Sequence, residues 1–344
     1  MPLLERYHPV VGRYNIRMPD PAAEYEAVRH RVGLIDRSDL GVVEVTGRDR
    51  ASFLHAMLSN DVKSLSAGRG ATAAFLDVQG KVQTLVTIWA LEDRLVLLTP
   101  PGEGAKTIQA LDHYLFSEKA YFKDVTGEMA LLMLAGPEAI ALAERLAGVT
   151  VPETAWGNVD ARVADVDVRL VRGGTETGEA EVWVAAATAD GERLRAALVE
   201  SGAMPIGRAA WESLRIEAGT PTYGSDVDTT VLLPEIPIEH LVSHTKGCYI
   251  GQEVVVRIRD RGHVNRHLRG LVIDGSTTPA VGAPVVAAGA EAGRVTSAAW
   301  SFGLHHPIAL AFIRRQHADP GTPVTVRADG AELAATVSAL PFTR

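Results

Sequence analysis

The stretch GVVEVTGRDRASFLHAMLSN, residues 41–60, carries the pattern from which the fold is read. Residues 41–45 set β-branched side chains around one glutamate, which spells a short strand, and Gly47 ends it. From 48 to 59, Ala51, Phe53, Leu54, Met57 and Leu58 fall close to a 3.6-residue period, so this segment is a helix that buries one face. Further apolar runs at 71–76, 82–91 and 94–98 are broken by Gln79-Gly80 and Glu92-Asp93. They read as strands joined by turns, and 102–114 closes the set as a second helix. The phrase then returns. Residues 130–135 form an apolar strand, Gly136-Pro137 opens a helix running on through 138–146, and strands at 165–171 and 181–186 precede a helix at 190–200. Only the glycine and the apolar spacing recur, yet the order implies two related α+β modules in tandem.

Beyond residue 263 the style changes. Strand-like pieces at 268–273, 284–287, 293–297, 308–313, 323–327 and 331–338 are spaced by Gly, Pro, Asp and Ser, with no helical period. A small antiparallel barrel or sandwich is the expectation, giving a domain at 1–262 and a second at 263–344. The 344-residue length and 47% apolar content suffice for both cores. A net charge of −8 provides no global field toward nucleic acid, so no nucleic-acid partner is expected. One cysteine cannot form an intrachain disulfide, which fits a reducing compartment. The opening MPLLERYHPVVGRYN has no basic-then-apolar leader pattern, and no apolar run nears the roughly 20 residues that span a bilayer. The expectation is a soluble, cytoplasmic protein without a membrane partner.

The chemistry concentrates in residues 211–269. A helix over 209–218 stops at Gly219, a residue suited to a left-handed C-terminal cap. On it, Arg215 follows Trp211 by four residues, placed either to clamp a ligand carboxylate beside an aromatic ring or to pair with Glu212. Lys246-Gly247-Cys248-Tyr249-Ile250-Gly251-Gln252-Glu253 sets the lone thiol beside a cation and between glycines. That pattern lowers a thiol pKa and leaves the sulfur approachable, but it equally fits a small buried residue filling a turn. Arg257, Arg259 and Arg261 alternate as on one face of a strand, suited to an anionic tail or to a charged, solvated edge. Asp226 and Asp228 flank one valine in a loop and read as turn residues; with His305-His306 they are too few for a metal site, and no metal is expected. No dinucleotide fingerprint, phosphate loop, nucleophile elbow or zinc-protease motif is present.

These residues resemble the glycine-cleavage T-protein (aminomethyltransferase) superfamily, and within it the folate-binding YgfZ-type branch. The resemblance rests on Leu214-Arg215-Ile216-Glu217-Ala218-Gly219, Gly224, Asp226 and Leu233-Pro234-Glu235, and above all on KGCYIGQE at 246–253 with Arg257. GLIDRSDLGVVEVTG at 33–47 and FLHAMLSNDV at 53–62 extend it over nearly the whole chain.

What the resemblance implies is a cloverleaf of two ferredoxin-like modules and a C-terminal antiparallel β-barrel around a tetrahydrofolate site, the folate carrying or lacking a one-carbon unit. It further implies a part in iron–sulfur cluster assembly or repair through the 246–257 segment, with iron–sulfur proteins or assembly factors as partners. Carried over, Lys246 and Cys248 become the reactive pair, opening onto the central hollow, while Gln252, Glu253 and Arg257 complete the signature and Arg215 contacts folate. A pterin edge asks for a carboxylate, an aromatic wall and arginine for its tail. Thr177-Gly178-Glu179 resembles the segment that supplies the carboxylate, leaving Glu179 and Glu181 as candidates, with Tyr223, Trp183 and Tyr249 as walls. Where transferring members carry an aspartate, the alignment places Thr84, which cannot hold the charge that one-carbon transfer needs. The first expectation is therefore a folate-binding accessory of iron–sulfur metabolism; the alternative is a folate-dependent aminomethyltransferase using another carboxylate.

Overall fold

The computed structural model describes residues 20–328 and 330–343; the opening stretch read for a leader lies outside the described residues. The predicted strand 41–45 is Gly41–Thr46, and it sits inside a five-stranded antiparallel sheet. In spatial order this sheet runs Gly70–Leu76, Val82–Ala90, Leu95–Thr99, Gly41–Thr46 and Tyr121–Asp124. Helices Arg50–Met57 and Gly104–Asp112 cover one face, where Phe53, Leu54 and Leu111 pack with Val43, Val45, Phe75 and Leu97. The second module repeats the element order, strand, helix, three strands, helix, strand. Its sheet runs Met204–Pro205, Gly33–Asp36, Met129–Ala135, Glu181–Ala187, Val166–Arg172 and Asn158–Val163, with helices Ala139–Ala147 and Gly191–Glu200. The repeat is thus real at the level of topology. It is broken by Gly33–Asp36, which inserts between the module's first and last strands and pairs in parallel with Met204–Pro205.

The uncovered faces of the two sheets share one apolar layer. Val42, Trp89, Val96 and Leu98 from the first meet Leu131, Met133, Val171, Trp183 and Ala185 from the second. Six strands of the C-terminal part close into an antiparallel barrel filled by Leu271, Val285, Val295, Ala311 and Val326. Each of the six pieces read from the sequence is one of its strands. Phe312, Leu268 and Leu310, together with Ile216 and Val227, seat the barrel on the first module.

One prediction is overturned. Arg257, Arg259 and Arg261 do not alternate along a strand, because Gln252–Arg261 is a helix. The run Val254-Val255-Val256 favours β structure locally, but Gly251, at φ +79°, turns the chain so closely over the Asp77–Gly80 hairpin that a Cβ there would lie 2.5 Å from the Asp77 carbonyl. That docking sets a helical course, and only Val255 of the run is buried. Arg257 and Arg261 then share a face, while Arg259 pairs with Asp260 at 2.6 Å and approaches His244 at 2.9 Å. Asp226 and Asp228 are turn and linking residues: Asp228 accepts from Thr230, and buried Asp226 accepts from the Thr222 N–H at 2.9 Å. His305 occupies a left-handed turn, and no group of three metal-ligating side chains forms among the described residues. None of the described helices is long and apolar enough to cross a membrane.

Candidate functional site

A cavity of about 620 Å³ opens where the two sheets meet the loops around 218–223 and 237–241 and the C-terminal Leu340-Pro341. Period two along Val82–Ala90 turns Leu85 and Thr87 toward it and Thr84 away. The helix Arg208–Glu217 brings Trp211 and Arg215 to its wall, and Gly219, left-handed at φ +72°, ends that helix so that the 218–223 loop folds over the opening. Arg37 is laid between two indoles, its guanidinium carbon 5.6 Å from the Trp183 ring centre and 5.2 Å from that of Trp211. It pairs with Glu176 at 2.5 Å. Burial works against its charge, but Glu176, Asp39 and Glu181 outweigh that and hold its pKa above the ordinary arginine value. Arg172 also borders the space.

Behind this wall lies the most perturbed acid of the site. Glu181 is fully buried, one oxygen accepting from the Thr177 N–H at 2.7 Å and the Thr177 hydroxyl at 2.9 Å, while Oε2 has no partner. Burial first, then the neighbouring Glu176 charge, push its pKa up to about 8, against the pull of Thr177 and Arg37. Gly173 forms the cavity wall in front of it. The two pack so closely that a Cβ on Gly173 would stand 2.4 Å from Glu181 Cβ, 3.0 Å from Glu181 Oε2 and 3.1 Å from Trp183 Nε1. An acceptor without a partner and a donor without one, since Trp183 Nε1 is also unpaired, are therefore buried directly behind the Gly173 backbone. Trp211 Nε1, on the same cavity, is a third orphan. Buried polar groups without partners are rare and mark places where a ligand completes the bonding.

The structure separates the two candidate carboxylates. Neither lines the cavity itself: Glu179 pairs with Arg29 at 2.8 Å, whereas Glu181 is buried against Gly173, which does line it. Tyr223 and Trp183 are walls as expected, the Tyr223 hydroxyl donating to the Gln83 carbonyl at 2.6 Å. Tyr249 is not: it is buried in the cluster beneath the barrel. Arg215 reaches the cavity but is committed elsewhere, to Glu212 at 2.5 Å, Asp226 at 3.2 Å and Ser297 at 2.8 Å, so its first duty is internal. The expectation for Thr84 needs correction as well. It is buried on the core side of its strand, and Leu85 occupies the cavity-facing position beside it, leaving Val82–Ala90 with no carboxylate on either face.

The signature segment lies apart. Cys248 is exposed, which excludes the buried turn-filler reading, but neither it nor Lys246, Gln252, Glu253 or Arg257 borders the central cavity. The thiol therefore does not open onto the hollow as the sequence reading had it. Lys246 reaches the other way: its ammonium donates to the carbonyls of His55, Leu58 (2.5 Å) and Asn60 (3.2 Å), capping the C-terminus of Arg50–Met57. Burial lowers its pKa to about 8, with Asp61 and Cys248 pulling the opposite way. Arg37, Glu176, Arg172 and the exact wall formed by Gly173 are cavity residues that the sequence reading did not single out.

Residues 9–246 match the family described as the GCVT N-terminal domain, and residues 266–343 match the glycine cleavage T-protein C-terminal barrel domain. The chain belongs to the glycine-cleavage T-protein family. Similar family members include an aminomethyltransferase of Streptomyces avermitilis, 31% identical over 93% of this chain and 89% of its own length. Another, from Thermus thermophilus, is 32% identical with the same coverage of both chains. The crystal structure of the glycine cleavage system aminomethyltransferase T from Bartonella henselae shares the T-protein fold, with a TM-score of 0.84 over 94% of this chain and 89% of that one at 23% identity.

Proposed function

We propose that this chain is a folate-dependent one-carbon transferase of the aminomethyltransferase type, binding tetrahydrofolate or a one-carbon derivative of it in the central cavity. The observation that carries the proposal is the pair of buried, unpartnered atoms behind the Gly173 wall, Glu181 Oε2 and Trp183 Nε1, each within about 3.1 Å of where a Gly173 Cβ would lie. A pterin edge presents N–H donors next to an acceptor oxygen, the complement of that pair. Trp183, Trp211 and Tyr223 offer flat apolar walls, and Arg172 is the cavity arginine with which a glutamyl tail would pair. Bound folate would supply the nitrogens that carry the one-carbon unit. The protein's contribution is orientation and exclusion of water, with Glu181, held at Oε1 by Thr177, giving up its proton as ligand N–H groups reach Oε2.

Homologues named aminomethyltransferase, matched over most of their length, support this reading more than the iron–sulfur role. The second reading keeps a specific observation: the KGCYIGQE segment presents an exposed thiol on a face apart from the cavity, where a carboxylate-free strand faces the folate pocket. On that reading the YgfZ-type resemblance holds, folate is bound without transfer, and Cys248 serves iron–sulfur proteins or assembly factors. Incubating purified protein with tetrahydrofolate and an aminomethylated donor separates the two. Methylene-tetrahydrofolate formed at a rate unaffected by Cys248→Ala supports transfer. Absence of turnover, with loss of iron–sulfur enzyme activity in cells carrying Cys248→Ala, supports the second.

A further inference from the structure

The seam between the two sheets opens a second time. Along Val82–Ala90, the face that gives Leu85 and Thr87 to the central cavity gives Trp89 to another, of about 850 Å³, on the far side of the shared apolar layer. Volumes of about 300–1,000 Å³ are those of small-molecule sites. Its floor is apolar, with Leu91, Val96 and Met129 beside Trp89 and Ala185 from the facing sheet. Trp89 is 1% exposed and its indole N–H has no acceptor. Arg94 Nε is likewise without a hydrogen bond: it lies 3.0 Å from Glu44 Oε1, but its N–H is not aimed there. From the second sheet Arg169 adds a guanidinium that is already engaged, with Asn158 Oδ1 at 2.6 Å and Asp160 at 2.6 Å, its pKa held down by burial and by the nearby Arg94 charge, while Asp160 pulls it up.

The carboxylates around this opening are already matched. Glu44 faces Arg94, Asp160 pairs with Arg169 at 2.6 Å, Asp167 with Arg162 at 3.0 Å, and Glu128 with Lys123 at 3.4 Å. Arg94 also pairs with Asp93 at 2.9 Å, so the rim carries no net positive charge and disfavours a polyanion such as a nucleotide. Asp160 and Asp167 have side chains 80% and 90% exposed, so they swing into water at little cost if another anion takes the arginines.

We propose that this second cavity binds a small amphipathic monoanion, an aromatic or branched aliphatic carboxylate or sulfonate. Its apolar body would rest on Trp89 and Met129, and its anionic oxygens would take the Trp89 N–H, Arg94 and Arg169. The site is independent of the folate reading. Anilinonaphthalene sulfonate, an aromatic monoanion whose fluorescence rises in apolar surroundings, is the probe, titrated into the full chain. The expected result is saturable one-site binding that persists at saturating tetrahydrofolate. It should weaken at least about tenfold in the double variant Arg94→Gln/Arg169→Gln, which loses two charge-assisted contacts. It should vanish in Ala187→Trp, which fills the mouth from an exposed strand end and remains readable if the arginine variants do not fold. No saturation up to millimolar probe, displacement by tetrahydrofolate, or unchanged binding in Ala187→Trp each overturns the proposal.

Discussion

Glu181 and Glu179 differ by two positions and by everything else. The left-handed turn at Gly178 (φ +77°) folds Thr177 back over the strand, so that Thr177 grips Glu181, while Glu179 leans out to Arg29. The sequence named both because the selecting hydrogen bonds depend on that turn, and because Gly173, the residue whose lack of a side chain lets the cavity wall pack directly against Glu181, lies eight positions upstream. With its pKa near 8, Glu181 carries a proton at neutral pH. A ligand that donates N–H to it requires the carboxylate, so binding releases a proton. Tetrahydrofolate affinity should accordingly rise as pH is raised from 6 and level off above about 8. Calorimetry in buffers of different ionisation enthalpy would read the released proton directly, and a pH-independent affinity would contradict the assignment. Gly173→Ala should cut folate affinity by at least about tenfold and lower the melting temperature with it, since its methyl would fall 2.4 Å from Glu181 Cβ and must displace that side chain.

At the scale of elements, Lys246 shows how a residue singled out for chemistry can be a fastener. Its ammonium satisfies three carbonyls around the end of Arg50–Met57, tying the signature loop to the first module. Lys246→Met should lower stability by about 1–3 kcal/mol, read as a shifted urea midpoint, because those carbonyls lose their donor. Cys248→Ala, on the exposed turn two residues away, should leave that midpoint unchanged. The helix through Arg257, Arg259 and Arg261 was illegible for a related reason: alternating arginines with Val256 and Ile258 between them spell a strand, while the close docking of Gly251 over a hairpin more than 170 residues earlier lies outside any local pattern. Edge strands escaped the sequence reading too. Asn158–Val163 and Tyr121–Asp124 expose Asp160, Arg162, Lys123 and Asp124, so their apolar alternation is diluted by the charges that protect an edge.

The molecule as a whole is held around Arg215. On the helix Arg208–Glu217 it joins Asp226 of the covering loop to Ser297 of the barrel, and Thr296 donates to the same Asp226 at 2.5 Å. Arg215→Ala would strand a fully buried carboxylate, so it should cost about 3–5 kcal/mol and lower the melting temperature before any effect on ligand binding is interpretable. For that reason it is a poor probe of the cavity, although the sequence makes it the obvious one. The tandem modules and the six barrel strands were legible because strand and turn signals are local. The two cavities along the seam were not, because each is lined by residues from both sheets that only the closed structure brings together.

The central claim is that the buried pair behind Gly173 receives a pterin on Glu181. Titrating tetrahydrofolate into wild-type protein and into Glu181→Gln, which keeps the shape and removes the charge, tests it most directly. The account predicts one saturable site in the wild type, a loss of affinity of at least about tenfold in Glu181→Gln, and disappearance of the pH dependence with it. Equal affinity in the two proteins, or no binding in either, would contradict it.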